Sequence, residues 1–303
     1  MPAKACASPY AQMVLATVLF ACMGVCVKLA SAHFGTAAVV SARGLVGALI
    51  MAAIAWQTAT PLRTTVPRLH AQRGVSGVLA LSLWFYCIGQ LPLATAVTLN
   101  YMSSVWIAVF LLLRAAFQRS ARVDLRLVGA IAVGFLGVAL VLQPTLAQDQ
   151  LFAGLLGVGS GMLAATAYVQ VTALGRAGEP EVRVVFWFSV MGTLLGALIW
   201  LIPGQGNPSS LPDIPWHAWL ELFGVGAFAT IAQLLMTRAY ARGTMLVNAS
   251  LQYLGIVHAF VFGIVLFDDP LLASAVTGAA LIVLSGLYAT RHNSSAAAGR
   301  ATR

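Results

Sequence analysis

Charge is what this sequence has least of. Of 303 residues, 8% are charged and only 8 are Asp or Glu, against 60% hydrophobic. An ordinary soluble domain carries about 25% charged residues, so a globule of this size could not be coated with solvated side chains. The mean hydropathy of +0.90 agrees. A water-soluble enzyme, a DNA-binding domain and a disordered chain are thereby excluded as descriptions of the whole protein, and the lipid bilayer is left as its solvent. Cysteine is sparse too. Three of the four cysteines (Cys22, Cys26 and Cys87, with Cys6 outside) lie inside apolar runs, where cysteine behaves as a small hydrophobe. Cys22 and Cys26 are one helical turn apart but lack the further ligands a metal site needs, and no cofactor is expected.

The net charge of +9 invites a nucleic-acid reading, since basic proteins track phosphates. The placement of the charges argues against that partner: they fall at the ends of apolar runs and form no stripe interleaved with aromatics. A helix needs about 20 apolar residues to cross the hydrocarbon core, and ten such runs are present, at roughly 11–31, 36–56, 74–91, 94–113, 126–144, 152–174, 184–202, 217–238, 245–267 and 271–290. Backbone hydrogen bonds must close within each segment in lipid, so the expected fold is an all-α polytopic membrane protein. The first run lacks a short-core cleavage pattern and reads as a retained helix. With the N-terminus in the cytoplasm, the cytoplasmic side collects 15 of the 17 basic residues: Lys4, Arg63, Arg68, Arg73, Arg114, Arg119, Arg122, Arg126, Arg176, Arg183, Arg238, Arg242, Arg291, Arg300 and Arg303. The opposite loops hold none, and carry Asp149, Asp213, Asp268 and Asp269. The positive-inside rule then puts both chain ends in the cytoplasm.

The two halves echo each other. Gly47-Ala48-Leu49-Ile50 in the second span recurs as Gly196-Ala197-Leu198-Ile199 in the seventh. Spans four and nine pair Leu99 with Leu251, Tyr101 with Tyr253, Val105 with Val257, Val109 with Val261 and Phe110 with Phe262. Spans five and ten pair Gly129-Ala130 with Gly278-Ala279, and Gly137 with Gly286. Five spans per half is an odd number, so the second copy enters the bilayer upside down. The expected domains are a first five-helix repeat at 1–147, a second, inverted one at 148–290, and an unstructured cytoplasmic tail at 291–303. Inverted repeats place their substrate site near the midplane, between the halves.

The five-plus-five pattern, the Ala42-Arg43 pair early in span two, the small-residue-rich spans four and nine, and the G-x7-G spacing of spans five and ten resemble the EamA-type members of the drug/metabolite transporter superfamily. The resemblance covers about 10–290. It implies an inner-membrane carrier, and many such carriers export amino acids or related metabolites. The family often has an acid just after the fourth and ninth helices. Asp268 fits the second position, whereas Phe117-Gln118-Arg119 stands at the first.

Ionisable groups inside spans are costly and mark function by default. Lys28, near the outer end of span one, is placed to snorkel towards the headgroups. Arg43 lies three or four residues from the middle of span two, about 5 Å at 1.5 Å per residue. Its guanidinium either caps a broken helix end or backbone carbonyls, or holds a substrate carboxylate in its planar fork. No Asp or Glu lies deep in any span, Glu221 being within about a turn of the start of span eight. That absence argues against exchange of lipophilic cations for protons. His258 is the one mid-span group with a pKa suited to proton coupling, and packing is the alternative role for it.

Polar stripes follow helical spacing. On span four Asn100, Ser103 and Ser104 lie within about 100° of one another, with Trp106 at the edge, and on span nine Asn248, Gln252, Gly255 and His258 lie within about 120°. Span eight offers Thr230, Gln233 and Thr237, and span three Ser82, Tyr86 and Gln90. Interhelical glue is one account, at about 0.6 kcal/mol per bond; a water-accessible central cavity is the other, and four stripes favour it. The expected substrate-binding residues are Arg43, Tyr86, Asn100, Ser104, Trp106, Gln233, Asn248, Gln252 and His258, with Trp106 and Tyr86 shaping a side-chain pocket. The glycine pairs Gly157-x3-Gly161 and Gly192-x3-Gly196 read as close-packing sites. The expected function is secondary transport of small metabolites, amino acids or similar zwitterions, in the export direction, by a monomer. Other organic anions, such as nucleotide or sugar derivatives, are the alternative cargo, and a membrane subunit with no pathway is a third reading. Scattered histidines and the lack of a catalytic pair argue against an enzyme.

Overall fold

The computed structural model describes residues 8–91, 93–118, 125–142, 151–201, 214–267 and 273–301. Among the described residues the chain is helical, without strands. The first half contains α1 (Pro9–Ala30), α2 (Thr36–Gln57), α3 (Pro67–Gln90), α4 (Leu93–Tyr101), α5 (Ser103–Gln118) and α6 (Leu125–Leu142). The second contains α7 (Leu151–Arg176), α8 (Glu181–Trp200), α9 (Trp216–Arg242), α10 (Met245–Gln252), α11 (Leu254–Phe267) and α12 (Ala273–Ala301). Six runs are long and apolar enough to cross a membrane, namely α1, α2, α7, α8, α9 and the joined stretch Met245–Phe267, with shorter apolar stretches at Leu99–Phe110, Leu125–Gly137 and Val276–Tyr288. Leu49, Leu155, Leu198 and Phe223 stand exposed on the outside, which lipid tolerates and water does not. This is a multi-pass helical membrane protein.

Local chemistry sets the helix ends. Ser8 accepts from the Ala11 N–H at 3.2 Å, and Pro9 occupies the first turn of α1, where no amide partner is missed. Pro67 does the same for α3, which therefore begins earlier than the expected 74–91 and carries Arg68, His70 and Arg73 within it. Two expected spans are interrupted: α4 and α5 meet at Met102, and α10 and α11 at Tyr253. At the second break the Tyr253 N–H bonds to the Ser250 carbonyl at 3.3 Å, one residue short of the α-helical partner. The Ala249 carbonyl released by that shift accepts the Ser104 hydroxyl at 2.7 Å. The segment 291–301, expected to be unstructured, continues α12 as helix, in keeping with its run of alanines (Ala296, Ala297, Ala298). The expected domain boundary at 147–148 and the acid at Asp268 lie outside the described residues.

The most closely associated helices pair across the two halves: α1 with α9, α2 with α8, α3 with α7 and α6 with α12. Matching α1–α6 in order to α7–α12 carries this set of pairs onto itself. Small residues make the approach possible. A Cβ on Gly196 would lie 2.7 Å from the Ser41 amide nitrogen, and one on Gly161 would lie 2.6 Å from the Leu99 carbonyl oxygen. Gly157 likewise seats the Leu99 side chain, so both glycine pairs read from the sequence contain a close-packing position. In α6 a Cβ on Gly137 would stand 2.7 Å from the Gly278 carbonyl oxygen of α12.

One polar corner lies at the end of the bundle where α7 turns into α8. Gly178, at φ +75°, lets α7 finish with the Glu179 N–H returning to the Leu174 carbonyl at 3.1 Å. This turn delivers Glu179 to His70 Nε2 (3.0 Å), Thr64 Oγ1 (2.9 Å) and Arg183 Nη1 (3.0 Å). Arg183 Nε and Trp187 Nε1 donate in turn to the Pro61 and Leu62 carbonyls, so the α2–α3 loop is bound to the second half. Burial alone would raise the Glu179 carboxyl, but the hydrogen bonds from His70, Thr64 and Arg183 outweigh it and hold it below its ordinary value. Glu179→Gln is expected to remove about 1–3 kcal/mol of stability at neutral pH. A depressed folded-state value means that this contribution is complete above the ordinary carboxylate range and is lost as pH falls through the depressed value. Thermal unfolding of both proteins from neutral to acid pH checks this, with the gap between them closing on acidification.

Candidate functional site

A cavity of about 50 Å³ lies in the bundle interior, walled by residues of α1, α2, α3, α4, α7, α8 and α9. Arg43 of α2 and Arg73 of α3 are both 3% exposed on its wall. Each guanidinium lies against the ring of Phe188 on α8, at 4.9 Å and 4.0 Å from its centroid respectively, a cation–π arrangement. No carboxylate and no hydrogen-bond acceptor partners either group among the described residues; Arg43 Nε and Arg73 Nε and Nη1 are buried with no partner at all. The helix-capping role considered for Arg43 is thus not what the structure shows. Asn100 and Gln233 line the same cavity, and Asn100 Nδ2 is anchored by Ser160 Oγ at 2.7 Å, which in turn donates to the Ala80 carbonyl.

Arg73 corrects the sequence reading. It was counted among the cytoplasmic charges, yet it sits inside the bundle because α3 starts at Pro67. The pattern that places it was present: Arg73, Gly77, Ala80, Leu81, Trp84 and Ile88 follow helical spacing on one buried face. Gly77, one turn after Arg73, is the enabling residue. A Cβ there would collide with Arg73 Nη1 and stand 2.9 Å from the Phe188 ring. Gly77→Ala is expected to push the guanidinium off that ring. On the carrier expectation drawn from the sequence, losing one charge-assisted contact from Arg73 costs about 1.5–3 kcal/mol, so flux should fall at least tenfold while the unfolding temperature falls by only a few degrees. Flux into proteoliposomes beside a melting curve checks both halves.

The remaining expected residues are dispersed. Tyr86 lines a separate open groove of about 490 Å³ with Ser82 and Gln90. Ser104 is spent on the Ala249 carbonyl. Trp106 packs on Phe110, ring centroids 6.3 Å apart. Asn248 Nδ2 donates to the Ala239 carbonyl at 2.6 Å, capping the end of α9. Gln252 Oε1 accepts the Tyr240 hydroxyl at 2.9 Å, and Tyr240 stacks on the cavity residue Tyr168 at 5.2 Å. His258 Nδ1 is 3.4 Å from Thr17 Oγ1, half-buried between α11 and α1. The two polar stripes of spans four and nine therefore do not face each other across the cavity; α9 takes up the amides of α10. Lys28, expected at the headgroups, donates to the Ile88 and Leu91 carbonyls at 3.1 Å and closes the end of α3.

Buried cations that lack an acidic partner among the described residues, on a cavity between paired helical halves, define a membrane protein built around a polar interior site. Residues 8–143 match the EamA-like transporter family. Over 279 residues, 92% of this chain and 94% of the relative, the sequence is 29% identical to the pseudopaline exporter CntI of Pseudomonas aeruginosa. It is 25% identical over 234 residues (77% and 80%) to a riboflavin transporter of Brucella anthropi. One crystal structure superimposes with a TM-score of 0.74 over 94% of this chain and 99% of the other, at 19% identity, a likeness of fold alone. The first half of the chain thus resembles EamA-like transporters, and relatives aligned over most of its length are named as an exporter and a transporter.

Proposed function

We propose that this transporter moves small metabolites bearing a carboxylate, amino acids or similar zwitterions, out across the inner membrane by alternating access, with both chain ends in the cytoplasm. The observation that carries the reading is Arg43, a buried guanidinium on the wall of the interior cavity with no hydrogen-bonding or acidic partner among the described residues. A buried cation is costly unless something neutralises it, and a carboxylate fits its fork. The pairing of helices across halves, carried onto itself when the halves are exchanged, supports two inverted five-helix repeats that rock about a central site. Its volume of about 50 Å³ holds only a few waters, so a metabolite enters when the halves part. That a relative is a pseudopaline exporter supports the export direction.

The second reading, other organic anions such as nucleotide or sugar derivatives, is favoured by one observation, the second buried guanidinium at Arg73. Efflux of a radiolabelled panel of amino acids, nucleosides and sugars from loaded proteoliposomes tests the proposal. Wild type should move amino acids and Arg43→Ala should not. Equal flux in both removes Arg43 from the site, and flux confined to the other classes replaces the amino acid reading.

A further inference from the structure

The cavity holds an excess of one kind of group. Every buried side-chain nitrogen or oxygen on its wall that lacks a hydrogen-bond partner is a donor: Arg43 Nε, Arg73 Nε and Nη1, and Trp84 Nε1. Two of the three side chains are cations, and the Phe188 ring they share keeps them within about 9 Å of each other, a distance at which like charges in a low-dielectric interior repel appreciably. Protein interiors accept buried charge when it is paired, and here neither guanidinium has a partner among the described residues. Gly77 makes room for the second cation at its place beside the ring. Two cations brought together at the cost of mutual repulsion balance a ligand with two negative groups. A cargo with a single carboxylate would satisfy one fork and leave the other unpaired.

We infer that the cargo of this cavity is a small dicarboxylate, acidic amino acids included, with one carboxylate held by Arg43 and the other by Arg73. The inference rests on the carrier reading above and narrows its substrate class. The aromatic surfaces of Phe20, Trp84 and Tyr168 on the same wall suit the carbon chain between the carboxylates, and the faces of these rings accept an ammonium where the cargo has one. The unpartnered Trp84 Nε1 adds a neutral donor to the two forks.

Matched probes test it. Proteoliposomes containing the full chain are loaded in turn with radiolabelled glutamate, glutamine, succinate, succinamate and glycerol 3-phosphate. Wild type should move each dicarboxylate at least tenfold faster than its half-amide partner, a comparison that needs no variant. Arg73→Gln should lower glutamate efflux at least tenfold, towards the glutamine rate, whereas Arg43→Gln should abolish efflux of both. Equal wild-type rates for each acid and its amide overturn the dicarboxylate inference and leave an amino acid carrier standing. Glycerol 3-phosphate moving in place of the dicarboxylates overturns it in favour of a single dianionic centre. No efflux of any probe overturns both this inference and the carrier reading on which it rests.

Discussion

Arg43→Met should lower transport by about two orders of magnitude and, in the same protein, raise the unfolding temperature. The two effects have one cause. A guanidinium 3% exposed and without a hydrogen-bond partner among the described residues bears a desolvation penalty of several kcal/mol, only partly offset by the Phe188 ring. Methionine keeps much of the side-chain volume and can pack on that ring without a charge. Replacing buried ions with apolar side chains of similar size is often neutral or stabilising, by about 1–4 kcal/mol. Removing a two-pronged contact with a carboxylate costs about 3 kcal/mol in cargo binding, or roughly a hundredfold. Proteoliposome flux and thermal unfolding in detergent read the two effects separately. A variant that melts several degrees earlier would show that the cation holds the bundle together, and its assignment to cargo would fall.

Gly196→Val is expected to break the packing of α2 against α8. Its Cβ would lie 2.7 Å from the Ser41 amide nitrogen and 2.9 Å from Ser41 Cα, and backbone cannot step aside as the end of a side chain can. Across the same seam a Cβ on Gly44 would collide with the Thr193 amide and stand 2.7 Å from the Ser189 carbonyl oxygen. Helices in lipid associate through such close contact, because burial from water supplies no further drive. Forcing α2 and α8 apart should cost about 3 kcal/mol or more. Gly159→Val supplies the comparison, since nothing lies within 4 Å of its Cβ position. Folded yield and unfolding temperature should collapse for position 196 and hold for position 159; equal behaviour would refute the seam.

Most helices were legible because lipid demands long apolar runs, and α1, α2, α7, α8 and α9 lie within a few residues of where hydropathy places them. The breaks at Met102 and Tyr253 were not, since neither carries proline or glycine at the break itself. The repeat-related tyrosines beside them, Tyr101 and Tyr253, pack on Gly255 and Gly134 respectively, contacts made by tertiary structure that no local pattern encodes. Arg43 was legible as an ionisable group in a span. Arg73 was not, because it stands near a polar loop and completes a positive-inside count. Its helical register with Gly77 and Trp84 outweighs that count once Pro67 starts the helix. The polar stripes were visible as stripes, but whether an amide meets cargo or a neighbouring carbonyl depends on the partner helix. For Asn248 the partner is the end of α9.

The hydroxyl of Ser104 on the Ala249 carbonyl has a consequence for how this protein can bend. In hydrocarbon, a helix that flexes normally bares an acceptor that no water can reach. Here the acceptor is already served from across the junction, by a side chain belonging to the opposite half. The joint at Tyr253 can therefore change angle without an electrostatic toll only as long as Ser104 travels with it, which links the swing of one half-helix to the position of the other.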